Sequence, residues 1–194
     1  MNVGSVDPTN RQAVLDLYTV LAVAAGGAIL DVMAKGAAVT IKADQSPVTE
    51  ADQASETVIL AGLRARMPHV PVIAEEEIAN GHVPEALGRH FALVDPLDGT
   101  KEFIKRNGEF CVLIGLIEDG RPAVGVVYAP QSGLLWSGAP GLGAWKARVV
   151  EGEIVDRAPI RVRAAPVNAW TAVMSRSHGH PIAEAAIDRL PVSE

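Results

Sequence analysis

The sequence predicts an α+β fold in which two N-terminal helices pack on a mostly antiparallel sheet. Apolar residues recur at helical spacing up to Met67, and short runs rich in β-branched residues then follow from Val70 to Val150. Polar, glycine-containing turns join several of these runs. Helices followed by hairpin-linked strands are typical of layered α+β domains, and a hydrophobic fraction of 48% over 194 residues suffices for a sizeable core.

Two helices are expected before the sheet. The first begins after Thr9 or Asn10, either of which can serve as its N-cap, and it ends at Gly36. The second runs from Glu50 to Met67 and stops before a proline, which cannot continue a helix. The polar segment 42–49 between them is expected to form a turn.

Six strands are predicted after the helices, at Val70–Ala74, Phe91–Val94, Phe110–Ile117, Pro122–Tyr128, Leu134–Ser137 and Ala144–Val150. A turn is expected at Glu118–Arg121 and a second hairpin at Glu151–Glu153. Further on, a strand at Ala169–Met174 and a helix at Ile182–Leu190 are predicted to open a new unit. We therefore divide the chain into an α+β domain, 1–165, and the beginning of a C-terminal α/β domain, 166–194.

Charge and composition exclude some partners and favour one compartment. The formal net charge is −6 and no long run of Lys and Arg occurs, which argues against nucleic acid or an anionic membrane surface as the main partner. The most apolar stretch, Leu17–Leu30, has 14 uncharged residues, whereas a bilayer crossing needs about 20. Cys111 is the single cysteine and is expected to fill a strand, which suits a reducing compartment. We therefore expect a cytoplasmic protein without an export signal.

Two acidic motifs follow predicted strands. Asp95 and Asp98 stand three apart on a proline-stiffened turn, and carboxylates so placed can converge on a hard divalent cation. The backbone N–H groups of Gly99 and Thr100, at a helix start, could hold phosphate oxygens beside it. Each of the dipeptides Asp95-Pro96 and Asp98-Gly99, taken alone, is more often part of a structural turn. The three acids of Glu75–Glu77 alone would suggest a solvated face, but with the aspartates they favour metal binding.

A third motif has a sufficient structural explanation. Thr49 and Asp52 fit a helix capping box, in which the Asp52 carboxylate accepts a hydrogen bond from the backbone N–H of Thr49. Capping alone accounts for this pair, so the residues by themselves assign Asp52 no catalytic role.

The three motifs together resemble those of a known superfamily. Ser46–Asp52, Glu75-Glu76 and Asp95–Thr100 are similar, in order and spacing, to the first motifs of the lithium-sensitive magnesium phosphatases of the inositol monophosphatase superfamily. The continuation Lys101–Phe110 and the stretch Ser175–His178 look most like its 3'(2'),5'-bisphosphate nucleotidases. The resemblance implies a layered α/β sandwich of the sugar-phosphatase type.

The resemblance also implies roles for individual residues. Mg²⁺ would be ligated by the side chains of Glu75, Asp95 and Asp98 and the carbonyl of Leu97. Asp52 and Thr100 would orient the attacking water, and the substrate would be bound by Glu75, Gly99, Thr100 and His178. The implied substrate is a small phosphate ester, adenosine 3',5'-bisphosphate, cleaved to AMP as in sulfate assimilation. His178 could equally be an exposed turn residue. Superfamily relatives often dimerise, so a homodimer is one expected state.

Two alternatives stay open at this point. An inositol monophosphatase acting on polyol phosphates would use the same metal and the same motifs. Members of the superfamily also continue to a Trp-Asp motif whose aspartate completes the metal site, whereas this sequence stops at Glu194 without one. We therefore also expect that the chain could be a truncated, inactive fragment.

Overall fold

The computed structural model describes residues 4–36, 39–41, 47–164, 167, 170–174 and 180–192. The chain divides into two compact units, Met1–Ile160 and Arg161–Glu194. The boundary that we predicted, between residues 165 and 166, lies outside the described residues. The first unit contains all the described residues of the three motifs.

The first helix, α1, spans Arg11–Lys35. Asn10 caps it by accepting a hydrogen bond from the backbone N–H of Ala13 at 3.1 Å. Gly36 ends the helix at φ 86°, a conformation that glycine adopts without the steric cost of a side chain. Both predicted helix ends are thus confirmed.

The second helix, α2, spans Glu50–Arg66, with Thr49 as its N-cap and Met67 as its C-cap. It packs against α1 with close helix–helix contact at Gly62, where a Cβ atom would overlap the side chain of Leu21. The predicted bounds of α2 are confirmed to within one residue. Because Gly62 has no side chain, the two helices can approach each other this closely.

Two short strands lie between these helices, and the second covers the end of the segment where we expected a turn, whose residues 42–46 lie outside the described part of the chain. β1 (Val39–Ile41) pairs antiparallel with β2 (Pro47–Thr49) as a separate two-stranded sheet. The prediction of a turn over the whole of 42–49 was therefore wrong at its end. β-branched residues on both sides of the polar segment favour this pairing.

The main sheet has seven strands, hydrogen-bonded in sequence order. They are β3 (Val72–Ala74), β4 (His90–Asp98), β5 (Cys111–Glu118), β6 (Arg121–Ala129), β7 (Leu134–Ala139), β8 (Gly143–Val150) and β9 (Glu153–Ile160). β3 and β4 are parallel and every other neighbouring pair is antiparallel. Short helices α3 (Glu75–Ala79) and α4 (Thr100–Ile104) follow β3 and β4. All six predicted strands and the α+β class are confirmed.

β9 was not assigned as a strand from the sequence. Every residue of β9 is exposed, so no buried face imposes an alternating apolar pattern on it. It also contains Pro159, which weakens a strand prediction. The hairpin that we predicted at Glu151–Glu153 nevertheless joins it to β8.

One core lies between the two long helices and the sheet. α1 packs on β5, β6 and β7, while α2 packs on β4. The largest fully buried side chains include Tyr18 and Ile29 of α1, Ile59 of α2, and Ile114 and Leu116 of β5. Burying the apolar face of both helices on one face of the sheet anchors the start of α2 beside the end of β4.

α1 is also long and apolar enough, by length and composition alone, to cross a membrane. Core helices of soluble proteins share these properties, and nine residues of α1 are buried within the protein.

Among its described residues, the second unit contains one short helix, α5 (Pro181–Ile187). His180 caps this helix, and its Nδ1 accepts a hydrogen bond from the N–H of Ile182 at 3.2 Å. The predicted helix here is confirmed but is shorter than expected. The predicted strand at Ala169–Met174 was wrong for the part of it that is described. Over residues 170–174 the backbone forms one isolated bridge, from Trp170 to Val192, instead of a strand.

Candidate active site

The parallel pairing of β3 with β4 brings two of the acidic motifs together. Ala74 lies opposite Val94 in this pairing, and both strands run in the same direction. The residues that follow, Glu75 and Asp95, therefore emerge side by side, close enough for Glu75 to raise the pKa of the Asp95 carboxyl. Neither motif alone contains this information, because it depends on the register of β3 against β4.

An irregularity in β4 brings Asp98 to the same place. Asp95 pairs with Leu113 and Asp98 with Cys111, so β4 holds one more residue than β5 across this interval. In a regular strand, residues three apart point to opposite faces, and one extra residue in a β-bulge reverses that. The two aspartates consequently interact with each other. We had expected the strand to end at Val94, but it continues through the motif.

The electrostatics of Asp95 reflect this crowding. Burial, followed by the charges of Glu75 and Asp98, raises the pKa of Asp95 to about 7, although the N–H of Leu97 donates to its Oδ1 at 3.2 Å. A divalent cation would relieve this repulsion, and the carboxylates of Glu75, Asp95 and Asp98 and the carbonyl of Leu97 are oxygen donors of the kind that Mg²⁺ prefers. Throughout the described part of the chain, no three His, Cys, Asp or Glu side chains form a preformed metal cluster. The fit to Mg²⁺ therefore rests on the kind of donor and on the crowding of charge.

Gly99 makes the turn from β4 into α4. Its backbone has φ 96° and ψ 41°, a left-handed conformation. A Cβ atom here would lie 2.8 Å from the carbonyl oxygen of Glu109 and 3.2 Å from the Cα of Phe110, so the site excludes a side chain. The Gly99 carbonyl accepts the N–H of Phe103 at 2.9 Å, which sets Thr100 at the first position of α4. The predicted Gly-Thr helix start is confirmed.

Asp52 and Thr100 are joined by a hydrogen bond. Thr100 Oγ1 donates to Asp52 Oδ1 at 3.0 Å and also lies 3.3 Å from the carbonyl oxygen of Leu97. The other carboxylate oxygen, Oδ2, accepts from the N–H and the hydroxyl of Thr49, both at 2.7 Å. The predicted capping box is confirmed. Asp52, which is only 1% exposed, also accepts a hydrogen bond from Thr100 of the motif at the end of β4.

Two of the residues that suggested a nucleotidase are buried in α4. Glu102 and Phe103 are both buried, and the Phe103 ring meets that of Phe110 edge to face at 5.4 Å. The resemblance to the nucleotidases in this stretch is therefore carried partly by buried residues of α4. His178, to which we assigned substrate binding, lies outside the described residues.

We expected Cys111 only to fill space within a strand. It is half-buried and also lies beside the acidic motif. Its Sγ lies 3.8 Å from Asp98 Oδ2. Burial, followed by the charges of Asp98 and Asp95, raises the pKa of this thiol to about 12. It is therefore a neutral thiol at physiological pH, in keeping with the expectation that it is no nucleophile.

Two further residues of α2 contact the site and were missed in the sequence. The Ser55 hydroxyl donates to the carbonyl oxygen of Pro96 at 2.6 Å, and Glu56 Oε2 accepts from the N–H of Glu76 at 3.0 Å. They lie three and four residues after Asp52, on the same face of the helix. The sequence did contain a signal for them. Ser55 and Glu56 are polar residues on a helix face that also carries apolar core residues.

Comparison with known proteins relates the chain to one family. Residues 10–189 match the Inositol monophosphatase family. The 3'(2'),5'-bisphosphate nucleotidase CysQ of Escherichia coli K12 is 49% identical over 166 residues, which are 84% of this chain and 64% of that protein. This chain thus spans less than two thirds of that relative's length.

Solved structures show the same relationship. CysQ from Bacteroides thetaiotaomicron, a bacterial member of the inositol monophosphatase family, superposes with a TM-score of 0.71 at 33% identity, over 93% of this chain and 69% of that one. Inositol monophosphatase from Anabaena gives a TM-score of 0.56 at 34% identity, covering 71% of this chain and 46% of that one. Because the family match extends over residues 10–189 and these relatives agree with it, the chain belongs to the inositol monophosphatase family.

Proposed function

We propose that this chain carries the metal and water site of a Mg²⁺-dependent phosphomonoesterase that acts on a nucleotide 3'-phosphate. The observation that supports this best is the hydrogen bond from Thr100 to Asp52 at 3.0 Å, directly beside the crowded carboxylates of Asp95 and its neighbours. A structural capping box needs no threonine from another motif. The additional bond orients the Thr100 hydroxyl, which supports a role beside the proposed cation site.

In this proposal Glu75, Asp95, Asp98 and the carbonyl of Leu97 hold Mg²⁺. When bound, the metal lowers the pKa of a coordinated water and neutralises charge that develops on the phosphate. The raised pKa of Asp95 is expected to fall when a cation compensates the surrounding carboxylates.

Thr100 and Asp52 orient the water. The hydroxyl hydrogen of Thr100 is directed to Asp52, so the lone pairs of Oγ1 remain to accept a hydrogen bond from the water. The water oxygen then attacks phosphorus while the bond from phosphorus to the ester oxygen breaks. One proton of the water passes to the leaving oxygen and the other stays on the released phosphate, so an alcohol and inorganic phosphate are formed. Asp52 stays a hydrogen-bonded carboxylate and forms no covalent intermediate.

Gly99 and Thr100 would bind the phosphate. Their backbone N–H groups stand at the start of α4, where such groups favour an anion. Gly99 has no side chain to obstruct this approach. The phosphate would therefore lie between the helix start and the metal ligands.

The substrate is inferred from the relatives. Proteins named 3'(2'),5'-bisphosphate nucleotidase are 49% identical to this chain, whereas the inositol monophosphatase from Anabaena is 34% identical. We infer adenosine 3',5'-bisphosphate as the substrate, with hydrolysis of its 3'-phosphate to give AMP. The expected reaction environment is the cytoplasm.

The test is phosphate release from adenosine 3',5'-bisphosphate and from inositol 1-phosphate, each with Mg²⁺, with EDTA and with added Li⁺. We expect Mg²⁺-dependent release that is faster from the nucleotide. Asp16→Asn, at an exposed position of α1, is the matched control for Asp95→Asn. Only the latter should abolish turnover.

Preference for inositol 1-phosphate would contradict the substrate and favour a polyol phosphatase. Release that is unaffected by EDTA would contradict metal dependence. No release from either ester by a folded chain would favour the inactive-fragment alternative.

A further inference from the structure

The first turns of α2 contact three segments of the candidate site, namely the start of α4, the bulge of β4 and the start of α3. Asp52, Ser55 and Glu56 stand at positions i, i+3 and i+4, so they share one face of the helix. All three are buried, with Ser55 0% and Glu56 6% exposed. Asp52 bonds to the start of α4, while the other two bond to the segments that carry the remaining acidic residues.

Ser55 holds the bulge in β4. Its hydroxyl donates to the carbonyl oxygen of Pro96 at 2.6 Å, within a buried environment. Pro96 stands between Asp95 and Leu97, in the interval where β4 carries its extra residue. A bulge interrupts the regular ladder, and a buried carbonyl there needs another hydrogen-bond donor. Ser55 supplies that donor from a different element.

Glu56 holds the segment that follows β3. Its Oε2 accepts from the backbone N–H of Glu76 at 3.0 Å, in the first turn of α3. Helix starts are usually satisfied by a capping side chain, and the residue at the cap position here is Ala74, whose methyl group cannot accept a hydrogen bond. Glu56 of α2 accepts this hydrogen bond in place of a capping side chain and thereby fixes the backbone next to Glu75.

We propose that Ser55 and Glu56 are positioning residues that set the distance between Glu75 and the aspartates of β4. Because both belong to a single helical turn, they fix the end of β3 and the bulge of β4 to one rigid element. This inference rests on the proposed function, since it assigns these residues to the alignment of the same metal ligands. Residues that orient metal ligands typically change affinity by about 10- to 100-fold when they are removed.

Mn²⁺ binding, followed by the loss of the free-ion electron paramagnetic resonance signal, tests the proposal without any substrate. We expect Ser55→Ala and Glu56→Ala each to weaken Mn²⁺ binding by about tenfold or more. Glu56→Gln retains an oxygen acceptor for the N–H of Glu76 and should bind within about threefold of the unmodified chain. That rescue would distinguish positioning from a need for charge.

Ile59→Val is the matched control for stability. Ile59 is buried in α2 one turn further on, and its apolar side chain can form no hydrogen bond to the site segments. It should lower the unfolding temperature, measured by circular dichroism, and leave Mn²⁺ affinity unchanged. Equal weakening by Ile59→Val and Ser55→Ala would show that stability alone is responsible and would overturn the proposal.

Unchanged affinity in both alanine variants would also overturn it, as would a failure of the unmodified chain to bind Mn²⁺. A chain that binds Mn²⁺ with the expected pattern but hydrolyses no phosphate ester would contradict the proposed function alone. Failure to bind Mn²⁺ would contradict both proposals, and the other outcomes separate them.

Discussion

Thr100 donates its hydroxyl hydrogen to Asp52 at 3.0 Å, although the two residues are 48 positions apart in the sequence. The contact joins the first turn of α4 to the first turn of α2. Asp52 Oδ2 is already occupied by the capping interactions with Thr49, so Oδ1 is the oxygen that serves Thr100. One carboxylate thus combines a structural and a proposed catalytic role.

Thr100→Val should therefore reduce kcat strongly and change KM little. Valine has a similar shape to threonine but lacks the hydroxyl that accepts a hydrogen bond from the water. Losing such a contribution typically costs about 10²- to 10⁴-fold in rate. Steady-state kinetics on adenosine 3',5'-bisphosphate measure both constants. Thr100→Ser keeps the hydroxyl and is the control, and a fully active valine variant would contradict the role of Thr100.

Gly99→Ala should destabilise the fold as well as reduce activity. The left-handed backbone at φ 96° disfavours alanine, and the new Cβ would meet the carbonyl oxygen of Glu109 at 2.8 Å. Backbone strain alone costs on the order of 1–3 kcal/mol, and the contact adds to it. Urea denaturation gives the free energy of unfolding.

Gly120→Ala separates the two causes. Gly120 has φ 72°, but a Cβ there meets nothing within 4 Å. This variant should lose only about 1–2 kcal/mol through its backbone. If Gly99→Ala is no more destabilising than Gly120→Ala, the close approach to Glu109 is unimportant.

Adjacent glycines of α1 should respond in opposite directions to alanine. A Cβ at Gly26 would overlap the ring of Tyr128 on β6 and crowd Pro130, whereas one at Gly27 would meet nothing within 4 Å. Overpacking typically costs about 1–3 kcal/mol, while Gly→Ala in an exposed helix position gains about 0.5–1 kcal/mol. Thermal unfolding should show Gly26→Ala below and Gly27→Ala above the unmodified chain. Equal shifts would mean that α1 does not pack on β6 as described.

The sequence was most informative where local chemistry decides the structure. Asn10, Gly36 and Thr49 define helix ends through short-range hydrogen bonds or backbone freedom. Gly36 and Thr49 were predicted, and Asn10 was one of two predicted caps for α1. The antiparallel strands also follow from short apolar runs rich in β-branched residues and from the intervening turns. β9 was missed because none of its residues is buried, so burial left no pattern in its sequence.

The arrangement of the site depends on relationships that a sequence does not display. The acidic motifs were recognised, but the closeness of Glu75 to Asp95 results from the parallel register of β3 and β4. The orientation of Asp98 results from one extra residue in β4. Ser55 and Glu56 bond mainly to backbone atoms of other elements, which any residue type could supply. Their partners could not be identified before the elements were assembled.

The stability of the metal-free chain should depend on pH through Asp95. Burial and the neighbouring carboxylates raise its pKa from an ordinary 3.8 to about 7. Between these values the folded state holds a proton that the unfolded state has lost, so this stabilising contribution is complete below the lower pKa and disappears as pH rises through about 7. The unfolding temperature in EDTA should therefore fall by more between pH 5 and pH 8.5 (roughly two pH units below and above that pKa) than it does in Asp95→Asn.

Mg²⁺ should reverse this loss at the higher pH, because a ligand that binds only the folded state raises its stability. Asp95→Asn should gain much less from Mg²⁺, since it lacks one charged ligand, while the exposed Asp16→Asn should behave like the unmodified chain. Differential scanning calorimetry with EDTA and with Mg²⁺ at both pH values measures all four conditions. An unmodified chain whose pH dependence matches that of Asp95→Asn, with the same response to Mg²⁺, would show that Asp95 does not lie in a crowded acidic site. It would thereby remove the electrostatic argument for a cation at the end of β4.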